Sequence, residues 1–310
     1  AKHNPVLRKV IEYCPDVVIV LDIPILDQEF VDQLPGTILH IDHHKPMGWK
    51  KKNYHYYNPL LNDENDNRPI SHWAYKVVKE DEKLMWLAGV GIIFDYFKPD
   101  FLDQLREKYP DLVPRDFDNP GEASFDMKIG ELVRAFVYLL KGKPSDVEAR
   151  VKTLLKIDDP YEILNQSTSK GKFIYKHYLK LEQKYKERVN EALADCKEMN
   201  KGGVSPIFVY TYVSRDDSFT SLMSNELAYR IPNPVLVIAR VKEGETIMSL
   251  RSKVNSGIKI PDKLTESLNG LKGRGGGHDF ACGTLVSNED YPIFIKRFEN
   301  LVKEDYERNS

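Results

Sequence analysis

Two short apolar runs, each ended by an aspartate, constrain the fold more than any other feature of this chain. Val17-Val18-Ile19-Val20-Leu21 stops at Asp22, and Thr37-Ile38-Leu39-His40-Ile41 stops at Asp42. Runs this short and branched predict strands buried on both faces of a parallel sheet. Between them, Asp27 to Leu34 has a helical pattern closed by Pro35-Gly36. Strand, helix, strand is a βαβ unit, and open parallel sheets place their chemistry beyond the carboxyl ends of the strands. Both aspartates sit at such ends.

The pattern then becomes helical from Ser71 to about Phe97, with a second apolar run, Leu84 to Phe94, interrupted by Asp95. Residues 99–125 are rich in Pro and Asp and predict a loop or short helices. Helical periodicity returns over Phe125 to Leu140, and Ser145-Asp146-Val147-Glu148 after Pro144 has the form of a capping box. A long helix is expected over roughly 170–199, because Ile174, Tyr178, Leu181, Tyr185, Val189, Leu193 and Cys196 recur in steps of three and four. Its remaining faces are rich in Lys and Glu, and Gly202-Gly203 ends it. Four strand patterns (Ile207–Tyr212, Val235–Val241, Thr246–Leu250, Ala281–Val286) and two helical ones (Leu222–Tyr229, Tyr291–Lys303) complete the chain. The fold class read from this order is α/β: a parallel-sheet domain over 1–165, a helical connector over 166–202 and a smaller α/β domain over 203–310.

Ile41-Asp42-His43-His44-Lys45-Pro46 is the strongest chemical feature. Adjacent histidines offer two nitrogen ligands, or one ligand and one acid–base group, and Asp42 can fix a ring tautomer from behind. Asp22 would approach the same point from the neighbouring strand. Asp95 lies in an apolar stretch, where a buried carboxylate is costly unless paired or bound to a cation. Three acids and two histidines at one sheet edge predict a divalent-metal site of mixed O and N ligands, which suits manganese or magnesium. An aspartate at a strand end is more often a helix cap or turn residue. Its coincidence with two others at the expected edge favours the metal reading.

Gly273-Arg274-Gly275-Gly276-Gly277-His278 is the second feature. Consecutive glycines allow close backbone approach and can present several N–H groups to an anion. Arg274 would add a charge-assisted phosphate contact, and His278 a donor or a stacking ring. The plain alternative is a flexible loop. Ser249-Leu250-Arg251-Ser252 and Asp217-Ser218-Phe219 are weaker signals of the same kind.

Composition narrows the classes. The 310 residues carry 45 Lys+Arg against 47 Asp+Glu, so a surface for nucleic acid has to be local rather than global. No apolar run approaches the roughly 18 residues of a membrane helix, and no basic-then-apolar leader opens the sequence. The three cysteines show no CxxC spacing, which argues against a disulfide framework or zinc module and for a reducing, cytoplasmic setting.

Together these residues resemble the DHH phosphoesterase superfamily, in its RecJ-like branch with a DHH-associated C-terminal domain. The resemblance covers nearly the whole chain: VVIVLDIP, IDHHK and GVGIIFDY stand as the second, third and fourth metal motifs. The connector, MSLRS and GRGGGHDFACG follow in the family's order. It implies that Asp22 bridges two Mn²⁺ ions, with Mg²⁺ or Co²⁺ as substitutes, and that His43 and Asp95 both ligate the same one of them. It implies that His44 contacts the scissile phosphate or protonates the leaving oxygen, with Asp42 orienting its neighbours. Arg251, Ser252, Arg274, Gly275, Gly276, Gly277 and His278 would hold the nucleotide or its phosphate across an interdomain cleft. The implied activity is exonuclease cleavage of single-stranded DNA or RNA in repair or replication, of the archaeal, Hef-associated type. That type acts 3′ to 5′ and partners a fork-repair helicase. Phosphodiesterase action on nanoRNA, cyclic dinucleotides or 3′-phosphoadenosine phosphate is the second expectation. A non-catalytic replisome scaffold is the third. The family's first metal motif, of His-x-Asp-x-Asp-Gly type, is absent, and His3 has no acidic neighbours to replace it. The expectation is that this motif lies upstream of Ala1, on a strand whose loss would expose apolar edges. The alternative is a degenerate relative.

Overall fold

The structure is a computed structural model that describes residues 5–24, 26–46, 48–215 and 217–309; His3 lies outside them. By contact the chain divides into two compact units. One runs up to Val133 and takes in Asp158–Tyr161, and the other comprises Arg134–Ile157 and Glu162 onward.

The first unit opens with α1 (Pro5–Tyr13), β1 (Val17–Leu21), α2 (Gln28–Gln33), β2 (Thr37–Ile41) and β3 (Tyr54–Tyr57). The three strands form a parallel sheet in the order β1-β2-β3, with Leu21 opposite Ile41 and Ile41 opposite Tyr57. One face is packed: Val20, Val31, Leu34 and Ile38 are buried with Leu7. The other face is not. Val17, Ile19 and Leu21 are 47%, 61% and 45% exposed, so β1 is not buried on both faces as its composition predicts. A strand's composition records that apolar cover is suited to it, whereas burial depends on what lies over each face. Next come α3 (Ile70–Val77), α4 (Met85–Phe94), α5 (Leu102–Lys108), α6 (Pro120–Asp126) and α7 (Ile129–Leu139), the last divided between the units. Helix α4 is apolar nearly all round and is correspondingly buried, with Trp86, Val90, Ile92 and Ile93 at or near zero exposure.

The second unit contains α8 (Pro144–Leu154), most of α9 (Pro160–Leu164) and the 31-residue α10 (Ser169–Met199). The capping box at Ser145 does not form. Pro144 takes the first helical position behind Lys143, which makes no side-chain cap bond. Thr168 caps α10 by accepting from Gly171 N, and Ile174, Tyr178, Leu181, Tyr185, Val189 and Cys196 are buried as their spacing predicts, whereas Leu193 is only partly buried and Ala192 is buried in its stead. Residues 134–157 group with this unit through side chains that reach α10 and each other. Arg134 Nε donates to Glu182 at 3.0 and 3.1 Å, Tyr138 Oη donates to the same carboxylate at 3.0 Å, and Arg150 Nε donates to Leu139 O.

A mixed sheet follows, of β4 (Ile207–Val213), β5 (Val235–Val241), β6 (Glu245–Ser252), β7 (Gly273–His278) and β8 (Ala281–Ser287), ordered β4-β5-β6-β8-β7. Only β4 and β5 are parallel. Helix α11 (Thr220–Arg230) lies on one face against β5 and β6, and α12 (Pro261–Leu268) and α13 (Tyr291–Asn309) complete the unit. Val235, Val237, Ala239, Met248 and Leu250 pack with Leu264, Phe294, Phe298 and Val302 into its core.

Candidate metal centre and phosphate-binding sheet

The register of the parallel sheet sets the first site. Asp22 N donates to Ile41 O and Asp42 N to Tyr57 O, so the ladder continues one residue past each strand and the two aspartates emerge side by side. Asp22 then turns with φ of +59°, a left-handed conformation that Asp tolerates better than most residues. Its Oδ1 lies 3.3 Å from His43 Nε2 and 3.9 Å from His44 Nδ1. Asp95, at the C-cap of α4, places Oδ2 3.4 Å from the same His43 Nε2. The three motifs are therefore brought to one point. One expectation is corrected: the Asp95 side chain is 38% exposed rather than buried, because the helix ends there and its last turn opens to solvent.

Valence identifies what belongs at that point. His43 Nδ1 lies 2.9 Å from Asn67 O, a carbonyl that can only accept, so Nδ1 carries a proton. In the neutral ring Nε2 then presents a lone pair to two carboxylate oxygens. That arrangement is repulsive unless a proton or a metal cation sits among them. Ligand atoms sharing one divalent ion at bonds of about 2.0–2.2 Å are spaced about 3–3.4 Å apart, which the 3.3 and 3.4 Å separations match. Asp22, His43 and His44 also form a set whose ligand atoms all lie within 4.8 Å of one another. The donor set suits a divalent cation.

Electrostatics agree. Burial works to lower the His43 pKa, but the bonds to Asp22 and Asn67 O and the charges of Asp95 and Asp22 outweigh it and push it up to about 9. In the metal-free protein a proton thus holds the place. Because this pKa is raised above 6.5, the protonated ring stabilises the metal-free fold fully below pH 6.5, and that contribution fades as pH rises through about 9. Metal entry at pH 7.5 should release close to one proton per His43. Calorimetry with Mn²⁺ in two buffers of different ionisation enthalpy measures it, and a proton count near zero would remove His43 from the ligand set.

Asp42 is fully buried and serves His44, accepting from its ring Nδ1 at 2.8 Å and its amide at 3.2 Å. Burial alone would raise the Asp42 pKa, but these contacts carry it below the ordinary value. An ionised Asp42 holds the proton on Nδ1 and makes Nε2 the acceptor of the neutral His44 ring. Three further groups fix this geometry, and the motif reading assigned them no role. Asn58 Nδ2 donates to His44 O at 2.8 Å, Asn67 O orients His43, and buried His40 contacts Ile23 O at 3.0 Å, just past Asp22. His40 shares a strand face with buried Ile38, so a period-two count along β2 is the signal that could have found it. A backbone carbonyl such as that of Asn67 leaves no signal in a sequence.

In the second unit the glycine-rich segment is a strand and not a loop. Gly273–His278 is β7, an exposed edge strand paired antiparallel to β8. Glycine is required here by the hairpin's tightness: Gly277 has φ of +151°, and a Cβ there would meet Ala281 O at 2.3 Å. Over Gly276 and its partner Gly283, by contrast, an added Cβ would meet nothing within 4 Å, which leaves bare backbone open to a ligand. Registered neighbours point to one side of a sheet, so the row Arg251–Ala281–His278 and the alternation Arg274, Gly276, His278 share a face. Arg251 Nε donates to Asn225 Oδ1 at 2.9 Å, which steadies it on that face. Ser252 is buried and shares a hydrogen bond with Ser256 Oγ.

Comparison with known proteins agrees with this architecture. Residues 207–304 match the DHHA1 domain family. The fold of the whole chain is similar to RecJ of Thermus thermophilus in complex with Mn²⁺. The TM-score is 0.65 at 16% identity, covering 96% of this chain and 47% of that one. The chain thus spans about half the length of that protein. An exonuclease RecJ bound to manganese is similar at TM-score 0.52 and 16% identity, with 97% and 80% of the two chains covered. A pGpG-specific phosphodiesterase from Vibrio cholerae is similar at TM-score 0.50 and 15% identity, with 97% and 94% covered. No curated protein sequence matches the chain.

Proposed function

From a chain that carries a DHHA1 domain and has the RecJ-like DHH fold throughout, we propose a metal-dependent phosphodiesterase acting on single-stranded nucleic acid from an end. The observation that carries this reading is the meeting of His43 Nε2 with Asp22 and Asp95 oxygens at the carboxyl edge of a parallel sheet. Asp22, His43 and Asp95 would hold divalent metal, with Mn²⁺ or Mg²⁺ suited to the O and N donors. Bound there, metal would supply an activated water and neutralise charge on the phosphate. The protein's own part is orientation and proton handling. Asp42 holds the His44 ring so that Nε2 can meet the phosphate or pass a proton to the leaving oxygen. Arg251, Arg274, His278 and the open Gly276 backbone would hold the strand. A role in DNA repair or replication belongs to the same reading.

A shorter substrate is the second reading, favoured by a fold match that extends over 94% of a pGpG-specific enzyme. Cleavage of end-labelled single strands of about twenty nucleotides, set beside the dinucleotide pGpG, separates the two. With Mn²⁺, progressive shortening of the longer strand is expected, and EDTA should abolish it. Turnover of pGpG alone would establish the short-substrate reading. No cleavage of either with Mn²⁺, Mg²⁺ or Co²⁺ would overturn both.

A further inference from the structure

The carbonyl that His43 meets belongs to a short segment of opposed charges, Asp66-Asn67-Arg68-Pro69, that lies outside the metal motifs. Asn67 O, 2.9 Å from His43 Nδ1, shares its peptide unit with Arg68 N–H. A trans peptide is planar, with its C=O and N–H pointing in opposite directions. Arg68 N donates to Asp66 Oδ1 at 3.3 Å. The bond that draws this N–H toward Asp66 therefore turns the carbonyl the other way, toward His43.

The Arg68 side chain closes the same turn. Nε donates to Asp66 Oδ1 at 2.8 Å and Nη2 to Oδ2, so both carboxylate oxygens are held by one planar fork. Nη1 reaches His72 Nε2 at 3.3 Å, and because a guanidinium only donates, the ring nitrogen accepts. His72 is 3% exposed on α3, which makes it a firm anchor. The guanidinium also lies over the Trp73 ring, 4.8 Å from its centroid. Trp73 in turn packs edge-on against Tyr57, the last residue of β3, whose carbonyl accepts from Asp42 N. Pro69 fixes the exit, since the residue before a proline is driven to extended backbone, and α3 starts at Ile70. An exposed ion pair by itself contributes little. This pair is different in kind: the Asp66 side chain is 14% exposed, Arg68 is tied to α3, and the two flank the peptide that faces His43.

We propose that Asp66 and Arg68 are positioning residues for the metal centre, a clasp that locks the Asn67–Arg68 peptide so that Asn67 O holds the His43 ring with Nε2 turned to Asp22 and Asp95. The proposal rests on the reading of Asp22, His43 and Asp95 as metal ligands. A ring nitrogen ligates along its lone pair, so a ring released from Asn67 O loses the direction in which it can bind. The clasp acts through the peptide between its two residues and not by contact with metal or substrate.

Manganese calorimetry on the full chain tests this without catalysis, with thermal melts to establish that each variant is folded. Asp66→Ala should weaken Mn²⁺ binding about 10–100-fold, the usual effect of removing a group that orients a ligand. Asp66→Asn keeps an oxygen that can accept from Arg68 N–H, so it should restore most of the affinity. Arg68→Ala leaves Asp66 bonded to the peptide but unanchored, and its affinity should fall between the two. A loss in Asp66→Asn as large as that in Asp66→Ala would mean that the carboxylate acts by its charge, and would overturn the clasp. Unchanged affinity in the folded alanine variants would overturn it as well. The Arg68 side chain is 43% exposed, so Arg68→Ala decides the matter even if Asp66→Ala does not fold. Absence of Mn²⁺ binding by the wild-type protein would instead overturn the metal-centre reading, and the clasp with it.

Discussion

On the proposed activity, replacing His43 by alanine should lower phosphodiester cleavage by more than about a hundredfold while leaving strand binding by the second unit largely intact. Residues that merely stand behind a metal ligand are worth about 10–100-fold, and His43 faces both carboxylates directly. Manganese affinity should fall with it. Arg274→Ala should do the opposite. It removes a charge-assisted phosphate contact of about 1.5–3 kcal/mol, so binding weakens roughly ten- to a hundred-and-fifty-fold, and metal affinity stays as it was. Filter binding and manganese calorimetry on both variants make the comparison. Loss of bound metal in Arg274→Ala with unchanged strand affinity would remove β7 from the substrate surface.

The second large effect is on stability. Glu182 is 4% exposed on α10 and accepts from Arg134 and Tyr138, and Arg134 itself is 8% exposed. Glu182→Leu strands a buried guanidinium, a change that costs about 3–5 kcal/mol. In a unit of this size that lowers Tm by about 6–20 °C. The double substitution Arg134→Met with Glu182→Leu should recover most of the loss, because it removes both desolvated charges at once. Thermal melts of the two variants check it. Equal destabilisation of single and double variants would show that packing, and not the unpaired charge, dominates there.

Much of this site was legible because its parts are local. A branched apolar run ended by aspartate reads as a strand with its acid at the carboxyl edge of the sheet, and β1 and β2 form there in parallel, although Val17, Ile19, Leu21 and Leu39 stay exposed and neither strand is buried on both faces. The stripe on α10 was equally plain, since each apolar residue falls within one turn of the next. Local pattern misleads where partners decide. The glycines, for which a flexible loop was the plain alternative, form an edge strand, because β8 supplies a ladder that a run of glycines cannot announce by itself. Asp95 looked buried by its neighbours in sequence, yet the helix ends there and turns it outward.

The sequence by itself determined which residues can carry chemistry and on which elements they stand, since hydrophobic period and turn residues act over a few positions. Only the tertiary structure decided that Asp22, His43 and Asp95 share one point, that Asn67 O fixes the proton of His43, and that Glu182 meets Arg134 from 48 residues away. The reason is physical. Convergence of charged groups is set by long-range packing of apolar faces, and those faces specify where a side chain stands without recording what it will meet.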